Sequence, residues 1–174
     1  MMGLVQVYTG EGKGKTTAAM GLALRAAGGG MKVYIVQFLK NGRSGEISTL
    51  RKIKGVTITY TGGSSSPLKS PTEPERNQLR AEFKNTLSEC KKIMESGKYD
   101  ILILDEINVA MKKRLINQNA VIDLLSKRPQ GVEIVLTGRG APRKILELAD
   151  LVTRMEEVKH PFRKGIKQRK GIEY

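Results

Sequence analysis

The chain has 174 residues, 39% of them hydrophobic, enough for one ordinary globular domain with a buried core. Its 31 Lys and Arg residues outnumber 17 Asp and Glu residues, and the net charge of +14 should attract nucleic acid, an acidic membrane surface or a polyphosphate. The chain has a single cysteine (Cys90) and no signal-peptide pattern, which excludes a secreted disulfide scaffold. It also lacks a run of ~18 apolar residues, which excludes a membrane protein, so a cytoplasmic location is expected.

The first third of the chain alternates apolar runs with a helical pattern. Residues 4–9 predict a strand, and the segment from Lys15 to the glycines at 28–30 predicts a helix. The near-continuous apolar run at 33–38 is typical of a buried parallel strand, and a short helix and a strand at 56–60 follow. The apolar face of the first helix is predicted to comprise Ala18, Ala19, Leu22, Ala23 and Ala26.

After a loop at 61–71, the spacing of Thr72 and Glu75 predicts a capping box at the start of a long helix. Cys90 lies on the apolar stripe of this helix, so it is interpreted as a core residue rather than a reactive thiol. The full stripe is Leu79, Phe83, Leu87, Cys90 and Met94. The remaining predicted elements are strands at 101–104, 132–137 and 151–155 and helices at 118–126 and 142–149.

This alternation predicts a parallel sheet with helices on both faces, in a single domain over residues 1–174 with a basic tail at 156–174. In such sheets the ligand binds beyond the carboxyl ends of the strands. The loops expected to carry function are therefore 9–16, 39–46, 61–71, 105–114 and 138–142.

The loop after the first predicted strand ends in Gly-Lys-Thr, as a Walker A phosphate-binding loop does. Its glycines allow successive backbone N–H groups to face a phosphate, Lys15 supplies positive charge, and the Thr16 hydroxyl can bind Mg²⁺. The usual first glycine is replaced by Thr9, so the turn is expected to open at Gly10. The flanking strand and helix disfavour a turn that binds nothing. A P-loop NTPase or RecA-like three-layer sandwich is predicted, with ATP-binding residues Gly10, Glu11, Gly12, Lys13, Gly14, Lys15, Thr16 and Thr17.

Two acids and an arginine follow other predicted strands at the same edge. Asp105 and Glu106 stand where a Walker B acid would bind Mg²⁺ or Mn²⁺, although spacing does not decide which of them touches the metal. In isolation they could also be two solvated acids. Arg139 lies between two glycines and would either reach a phosphate or remain a surface arginine.

The remaining charged residues and the histidine are not expected to take part in catalysis. Lys40, Arg43 and Glu46 are expected to be solvated, and His160, the only histidine, to be structural, since no second histidine exists for a His-based zinc site. The basic tail suggests nucleic-acid binding, but aromatic residues make up only 5% and Trp is absent, so base stacking has few partners and nucleic acid is not expected. A solvated face or a lid over an acidic ligand is favoured for the tail residues Lys159, Arg163, Lys164, Lys167, Arg169 and Lys170.

Over almost its whole length the chain resembles the P-loop family of ATP:corrinoid adenosyltransferases. Besides the generic P-loop, the Val-Gln-Phe-Leu-Lys segment, Thr-Gly-Arg-Gly and the tail are particular to the resemblance. The segments that carry it are 10–17, 36–40, 104–106, 137–140, 148–150, 158–162 and 170–174.

The resemblance implies that cobalt(I) of a corrinoid, cobalamin or a precursor, attacks C5′ of ATP and that triphosphate leaves. Cobalt(I) is itself a strong nucleophile, so no general base is required. Lys15 and Arg139 are then the catalytic candidates, because they would stabilise the departing negative charge, together with Mg²⁺ on Thr16 and an acid at 105–106. Similar enzymes hold ATP in reverse, with the γ-phosphate in the usual place of the α. The resemblance also implies an electron-donating flavoprotein and, in many members, a homodimer.

The chain departs from the family pattern at 62–68, where members often carry an aromatic Gly-Phe-Thr-Trp-like stretch associated with removal of the lower axial cobalt ligand. Here the sequence is Gly-Gly-Ser-Ser-Ser-Pro-Leu, with no aromatic residue between Tyr60 and Phe83. Leu68 is the candidate for a hydrophobic wedge in its place, and the preferred corrinoid is left open.

Two other functions use the same residues. A P-loop small-molecule kinase or NTPase would act on the γ-phosphate through Lys15, Mg²⁺ and Arg139 and would yield ADP rather than triphosphate. A basic, ATP-responsive nucleic-acid-binding protein would bind nucleic acid in a salt-dependent way even without Lys15.

Overall fold

The structure is a computed structural model that describes residues 2–42, 44–63, 71–161, 165–167 and 169–172. Its centre is a six-stranded sheet in the order β3-β2-β4-β5-β1-β6, in which every neighbouring pair is parallel. The strands are β1 (Val5–Thr9), β2 (Val33–Phe38), β3 (Val56–Thr61), β4 (Ile101–Asp105), β5 (Glu133–Thr137) and β6 (Leu151–Arg154). The helices are α1 (Lys15–Gly28), α2 (Gly45–Leu50), α3 (Glu73–Glu95), α4 (Ile107–Lys112), α5 (Gln118–Ser126) and α6 (Arg143–Leu148).

Helices cover both faces of the sheet. One face packs against α1 and α2 through side chains such as Ile35 and Ile103, and the other packs against α3, α4, α5 and α6 through side chains such as Val36 and Leu104. The central strands β2, β4 and β5 are therefore buried along their whole length, which explains their near-continuous apolar sequences. The predicted three-layer α/β sandwich with a parallel sheet is confirmed.

Helix α3 begins and packs as its sequence predicts. Glu75 Oε2 accepts a hydrogen bond from the backbone N–H of Thr72 (2.7 Å), which completes the capping box. All five residues of the predicted stripe are buried, including Cys90 at 1% exposure. Burial raises the pKa of the Cys90 thiol to about 12. The interpretation of Cys90 as a core residue is confirmed.

Several local expectations are wrong in detail. The buried face of α1 comprises Ala19, Met20, Ala23 and Ala26, whereas Ala18 is exposed. The stretch 105–114 was expected to be loop, but residues 107–112 form α4, a helix of six residues that is too short to produce a recognisable period. The ends of β3, β5, β6 and α6 differ from expectation by one residue or two, as is usual where elements fray.

The strand order determines which loops meet. Strands β2, β4, β5 and β1 are neighbours, so their carboxyl ends at Phe38, Asp105, Thr137 and Thr9 lie along one edge of the sheet. None of the described helices has the length and apolar character that a membrane-spanning helix needs.

Candidate active site

The loop between β1 and α1 is shaped by glycines that other residues could not easily replace. Gly10 and Gly14 have φ values of 99° and 115°, which L side chains rarely adopt. The Gly12 N–H donates to the Met155 carbonyl at 2.8 Å, and a Cβ at Gly10 would lie 2.3 Å from that same oxygen. The turn therefore opens at Gly10 despite Thr9, and the loop packs tightly against the chain that follows β6.

Lys15 folds back over this loop. Its Nζ donates to the carbonyl oxygens of Gly10 (2.8 Å) and Gly12 (2.6 Å), and the residue is only 7% exposed. Burial, and to a lesser extent the positive charge of Arg139, lowers the pKa of Lys15. A buried ammonium that is satisfied only by neutral carbonyls has much to gain from an anionic ligand in the loop.

Asp105, at the end of β4, binds four side chains from three other segments of the chain. Its Oδ1 accepts hydrogen bonds from the hydroxyls of Thr16 (2.9 Å) and Thr137 (2.6 Å). Its Oδ2 accepts hydrogen bonds from Gln37 Nε2 (3.0 Å) and Lys40 Nζ (2.7 Å). The carboxylate is fully buried, so these four donors replace the water that it would otherwise bind. Of the two predicted acids, Asp105 is the one in contact with Thr16.

The expectation that Lys40 is a solvated charge is wrong. Its Nζ forms an ion pair with Asp105 and also donates to Thr16 Oγ1 at 3.2 Å. The reason is the strand order: β2 lies beside β4 with Gln37 opposite Asp105, which brings the residues after β2 to the acid. Glu46 is exposed as expected, and Arg43 lies outside the described residues. Lys40 belongs to the Val-Gln-Phe-Leu-Lys segment that carries the family resemblance, and this was the sequence signal that could have identified it.

Glu106 lies beside this cluster in an unusual backbone conformation. Its φ of 65° places it in the left-handed region, and its N–H donates to Thr137 Oγ1 at 3.0 Å. Burial and then the neighbouring charge of Asp105 raise the pKa of the Glu106 carboxyl, against the opposing effect of Lys40, Lys15 and Arg139. Glu106 is therefore an acid within the electrostatic influence of the site's cations.

Arg139, in the loop after β5, contacts the P-loop through Glu11. Its guanidinium lies 3.2 Å from Glu11 Oε2, in a pair whose side chains are both more than half exposed. The glycines on either side, Gly138 and Gly140, both have positive φ and so form a sharp turn after β5. The structure thus brings Arg139 to the rim of the predicted phosphate loop.

The Thr16–Asp105 pair has the composition of a site for a divalent cation. Mg²⁺ takes oxygen ligands, retains several waters and is commonly held by one or two protein oxygens together with phosphates. Among the described residues no three His, Cys, Asp or Glu side chains cluster as an all-protein metal site would require. Gln37 Oε1 is buried and has no hydrogen-bond partner within the described part of the chain, which leaves an acceptor for a metal-bound water. The residues present therefore fit Mg²⁺ shared with a polyphosphate.

The tail, for which the sequence leaves open a solvated face or a lid over an acidic ligand, also reaches the P-loop. Lys13 Nζ donates to the carbonyl oxygen of Ile172 at 3.0 Å, and a Cβ at Gly12 would lie 2.6 Å from the Glu156 carbonyl. His160 is half-buried. Like Arg43, the residues Leu68, Arg163 and Lys164 named in the sequence analysis lie outside the described residues.

A glycine-lined loop between strand and helix, with a threonine held by the acid that ends another strand of the same parallel sheet, defines a P-loop nucleotide-binding protein. The fold agrees: the crystal structure of a KaiC-like protein from Pyrococcus horikoshii superposes with a TM-score of 0.60 at 20% identity, covering 99% of this chain and 76% of that one. This likeness is consistent with the predicted RecA-like sandwich.

The comparisons by sequence go further. The family model described as ATP:corrinoid adenosyltransferase BtuR/CobO/CobP matches residues 1–174. A corrinoid adenosyltransferase of Sinorhizobium sp is 37% identical over 175 residues, which cover 99% of this chain and 80% of the relative. That of Escherichia coli K12 is 35% identical (99% and 86%), and CobA of Salmonella typhimurium is 34% identical (99% and 86%).

The chain belongs to the ATP:corrinoid adenosyltransferase family. It is an enzyme that transfers the adenosyl group of ATP to a corrinoid, as the resemblance implied. The kinase and nucleic-acid-binding alternatives are not adopted.

Proposed function

We propose that the P-loop of this enzyme holds the triphosphate of ATP so that cobalt(I) attacks C5′ of the ribose and the whole triphosphate leaves. The electron pair of cobalt(I) forms the new Co–C bond, and the pair of the C5′–O bond departs with the triphosphate oxygen. No proton is transferred in this step, so no general base is needed. The observation that supports the grip on the triphosphate is the position of Lys15, a buried ammonium enclosed by the P-loop at 2.6 and 2.8 Å from neutral carbonyls. Membership of the adenosyltransferase family supports attack at C5′ rather than at the γ-phosphate.

Lys15 and Arg139 would stabilise the leaving group from two sides. A phosphate oxygen is a stronger acceptor for the Lys15 ammonium than the Gly10 and Gly12 carbonyls, because its negative charge adds Coulomb attraction to the hydrogen bond. Arg139 would exchange its exposed contact with Glu11, a kind of surface ion pair worth about 0–1 kcal/mol, for the same triphosphate. Both exchanges favour the state in which negative charge accumulates on the leaving oxygen.

Mg²⁺ or Mn²⁺ would be held by Thr16 and Asp105, with Glu106 as the adjoining acid. When bound, the ion would supply positive charge to the triphosphate. Asp105 is oriented for this by Thr137 and Gln37, which hold one carboxylate oxygen each. The backbone N–H groups of residues 10–17 would complete the cradle.

The partners and setting follow from the chemistry. Cobalt(I) must be made by reduction, so we include an electron donor, a reduced flavoprotein, among the partners. A buried, unpaired Cys90 suits a reducing cytoplasm. We also infer that residues 1–174 work as one P-loop domain with a basic tail at 156–174, and that the enzyme acts as a homodimer.

The phosphorus-containing product tests this proposal. With ATP, Mg²⁺ and chemically reduced cobalamin, the enzyme should release triphosphate in a one-to-one ratio with the Co–C bonds formed, as followed by phosphorus NMR. ADP as the main product would instead indicate attack at the γ-phosphate and would overturn the proposal. Omission of cobalamin is the control, and it should abolish triphosphate release.

A further inference from the structure

The ammonium group of Lys40 stands where a cation is expected. Its Nζ is 2.7 Å from Asp105 Oδ2 and 3.2 Å from Thr16 Oγ1, the two side chains proposed above to hold the divalent ion. We propose that Lys40 is a positioning residue that acts as a stand-in cation: it occupies this site in the nucleotide-free enzyme and competes with the divalent ion for Asp105. This inference rests on the proposed metal site. If Lys40 acts in this way, the divalent ion binds tightly only when ATP is present.

The charge balance of the cluster explains why a stand-in is needed. Asp105 is fully buried, and its other hydrogen-bond donors, Thr16, Thr137 and Gln37, are neutral. A buried carboxylate without a counter-charge is costly, so the contact with Lys40 stabilises the cluster before any ligand arrives. A lysine suits the role, because its compact ammonium is carried on a long, flexible stem.

The position of Lys40 in the chain allows it to leave. Its side chain is 31% exposed, in contrast to the buried carboxylate that it contacts. It lies two residues beyond β2, directly after Leu39, whose φ of 59° turns the backbone. The ammonium can therefore move toward solvent without disturbing the sheet.

We expect that the divalent ion alone cannot displace the Lys40 ammonium from Asp105, and that it can do so when ATP is bound. Mg²⁺ requires about six oxygen ligands, and Thr16 and Asp105 provide only a few of them. Without phosphates the ion gains little from displacing an ammonium already bonded to both side chains. The phosphates of ATP add further ligands, so the exchange becomes favourable only when the nucleotide is present.

The test measures Mn²⁺ binding to the full, nucleotide-free chain from the electron paramagnetic resonance signal of free Mn²⁺. Lys40→Met should bind Mn²⁺ at least about tenfold more tightly than the native protein, a difference equivalent to about 1.4 kcal/mol. Lys52→Met, which removes an equal charge from an exposed site at the end of α2, should bind it as the native protein does. An unchanged Mn²⁺ affinity in Lys40→Met would overturn the proposal.

Two further variants keep the test decisive. Lys40→Gln removes the charge but retains a hydrogen-bond donor for Asp105, so it should show the same gain even if the Met variant folds poorly. Lys40→Arg retains the charge and should bind Mn²⁺ as weakly as the native chain; a gain in this variant would contradict competition by charge.

A double variant tests whether the additional Mn²⁺ affinity of Lys40→Met arises at Asp105. In Lys40→Met combined with Asp105→Asn, the gain in Mn²⁺ affinity should disappear, because the contested carboxylate is gone. A gain that survives would put the ion elsewhere and overturn both this inference and the proposed metal site. It would leave adenosyl transfer untouched, since that is assayed separately through the release of triphosphate.

Discussion

At the scale of single residues, the site contains two buried charged side chains that have hydrogen-bond partners inside the protein before any ligand binds. Asp105 and Lys15 are both buried, and each is satisfied inside the protein by contacts that a metal ion and a triphosphate could replace. Sequence spacing predicted that Thr16 and Asp105 share an edge of the sheet. It did not predict Lys40, because that contact depends on β2 lying beside β4, which spacing alone does not reveal.

Lys15→Ala should lower the rate of adenosyl transfer by about 10²–10³-fold, the usual effect of removing a group that stabilises transition-state charge. The melting temperature should change little, because the Gly10 and Gly12 carbonyls that Lys15 contacts can bind water instead. Turnover with chemically reduced cobalamin measures the effect, and Lys52→Ala serves as the matched loss of charge. Full activity in Lys15→Ala would refute its role.

Cys90 should be inert in the folded protein. Burial raises its pKa from the ordinary 9.0 to about 12, so the reactive thiolate is scarce and covered. Between those two pH values the unfolded chain loses a proton that the folded chain retains, so stability should fall as the pH rises above about 9. A thiol reagent followed by mass spectrometry should label Cys90 only after denaturation; rapid labelling of the native protein would contradict its burial.

At the scale of elements, the long and strongly patterned segments were predictable and the short ones were not. Helix α3 has 23 residues, a capping box and five regularly spaced core residues, so local sequence defines it fully. Helix α4 has six residues and is set instead by the left-handed turn at Glu106 that follows β4. The face of α1 was misjudged because small alanines on several sides give a weak hydrophobic contrast.

Two glycine substitutions separate loop geometry from helix propensity. Gly10→Ala should destabilise the fold by about 1–3 kcal/mol and weaken ATP binding, because φ is +99° there and the new Cβ would meet the Met155 carbonyl at 2.3 Å. Gly21→Ala should stabilise it by about 0.5–1 kcal/mol, since Gly21 lies inside α1 with no atom within 4 Å of the new Cβ. Urea denaturation and ATP titration measure both, and equal effects would refute this reading of the loop.

At the scale of the whole molecule, the net charge of +14 indicates an anionic ligand without identifying it. The P-loop narrows the ligand to a nucleotide, and the strand order explains why Thr16, Lys40, Asp105 and Arg139 converge on one edge of the sheet. Nothing in composition or periodicity points to a corrin ring. That conclusion came from particular segments shared with a family. Of residues 62–68, where this chain departs from the family pattern, 64–68 lie outside the described residues.

The central claim is that the ribose carbon of ATP, rather than its terminal phosphorus, meets the attacking atom. The most direct measurement is the ¹³C NMR spectrum of the cobalamin product, taken with its visible spectrum before and after illumination, when the enzyme has been incubated with Mg²⁺, chemically reduced cobalamin and ATP labelled with ¹³C at C5′. The cobalamin should acquire a light-sensitive Co–C bond whose carbon carries the label. A spectrum that does not change on illumination, with the label still in ATP or ADP, would contradict the account.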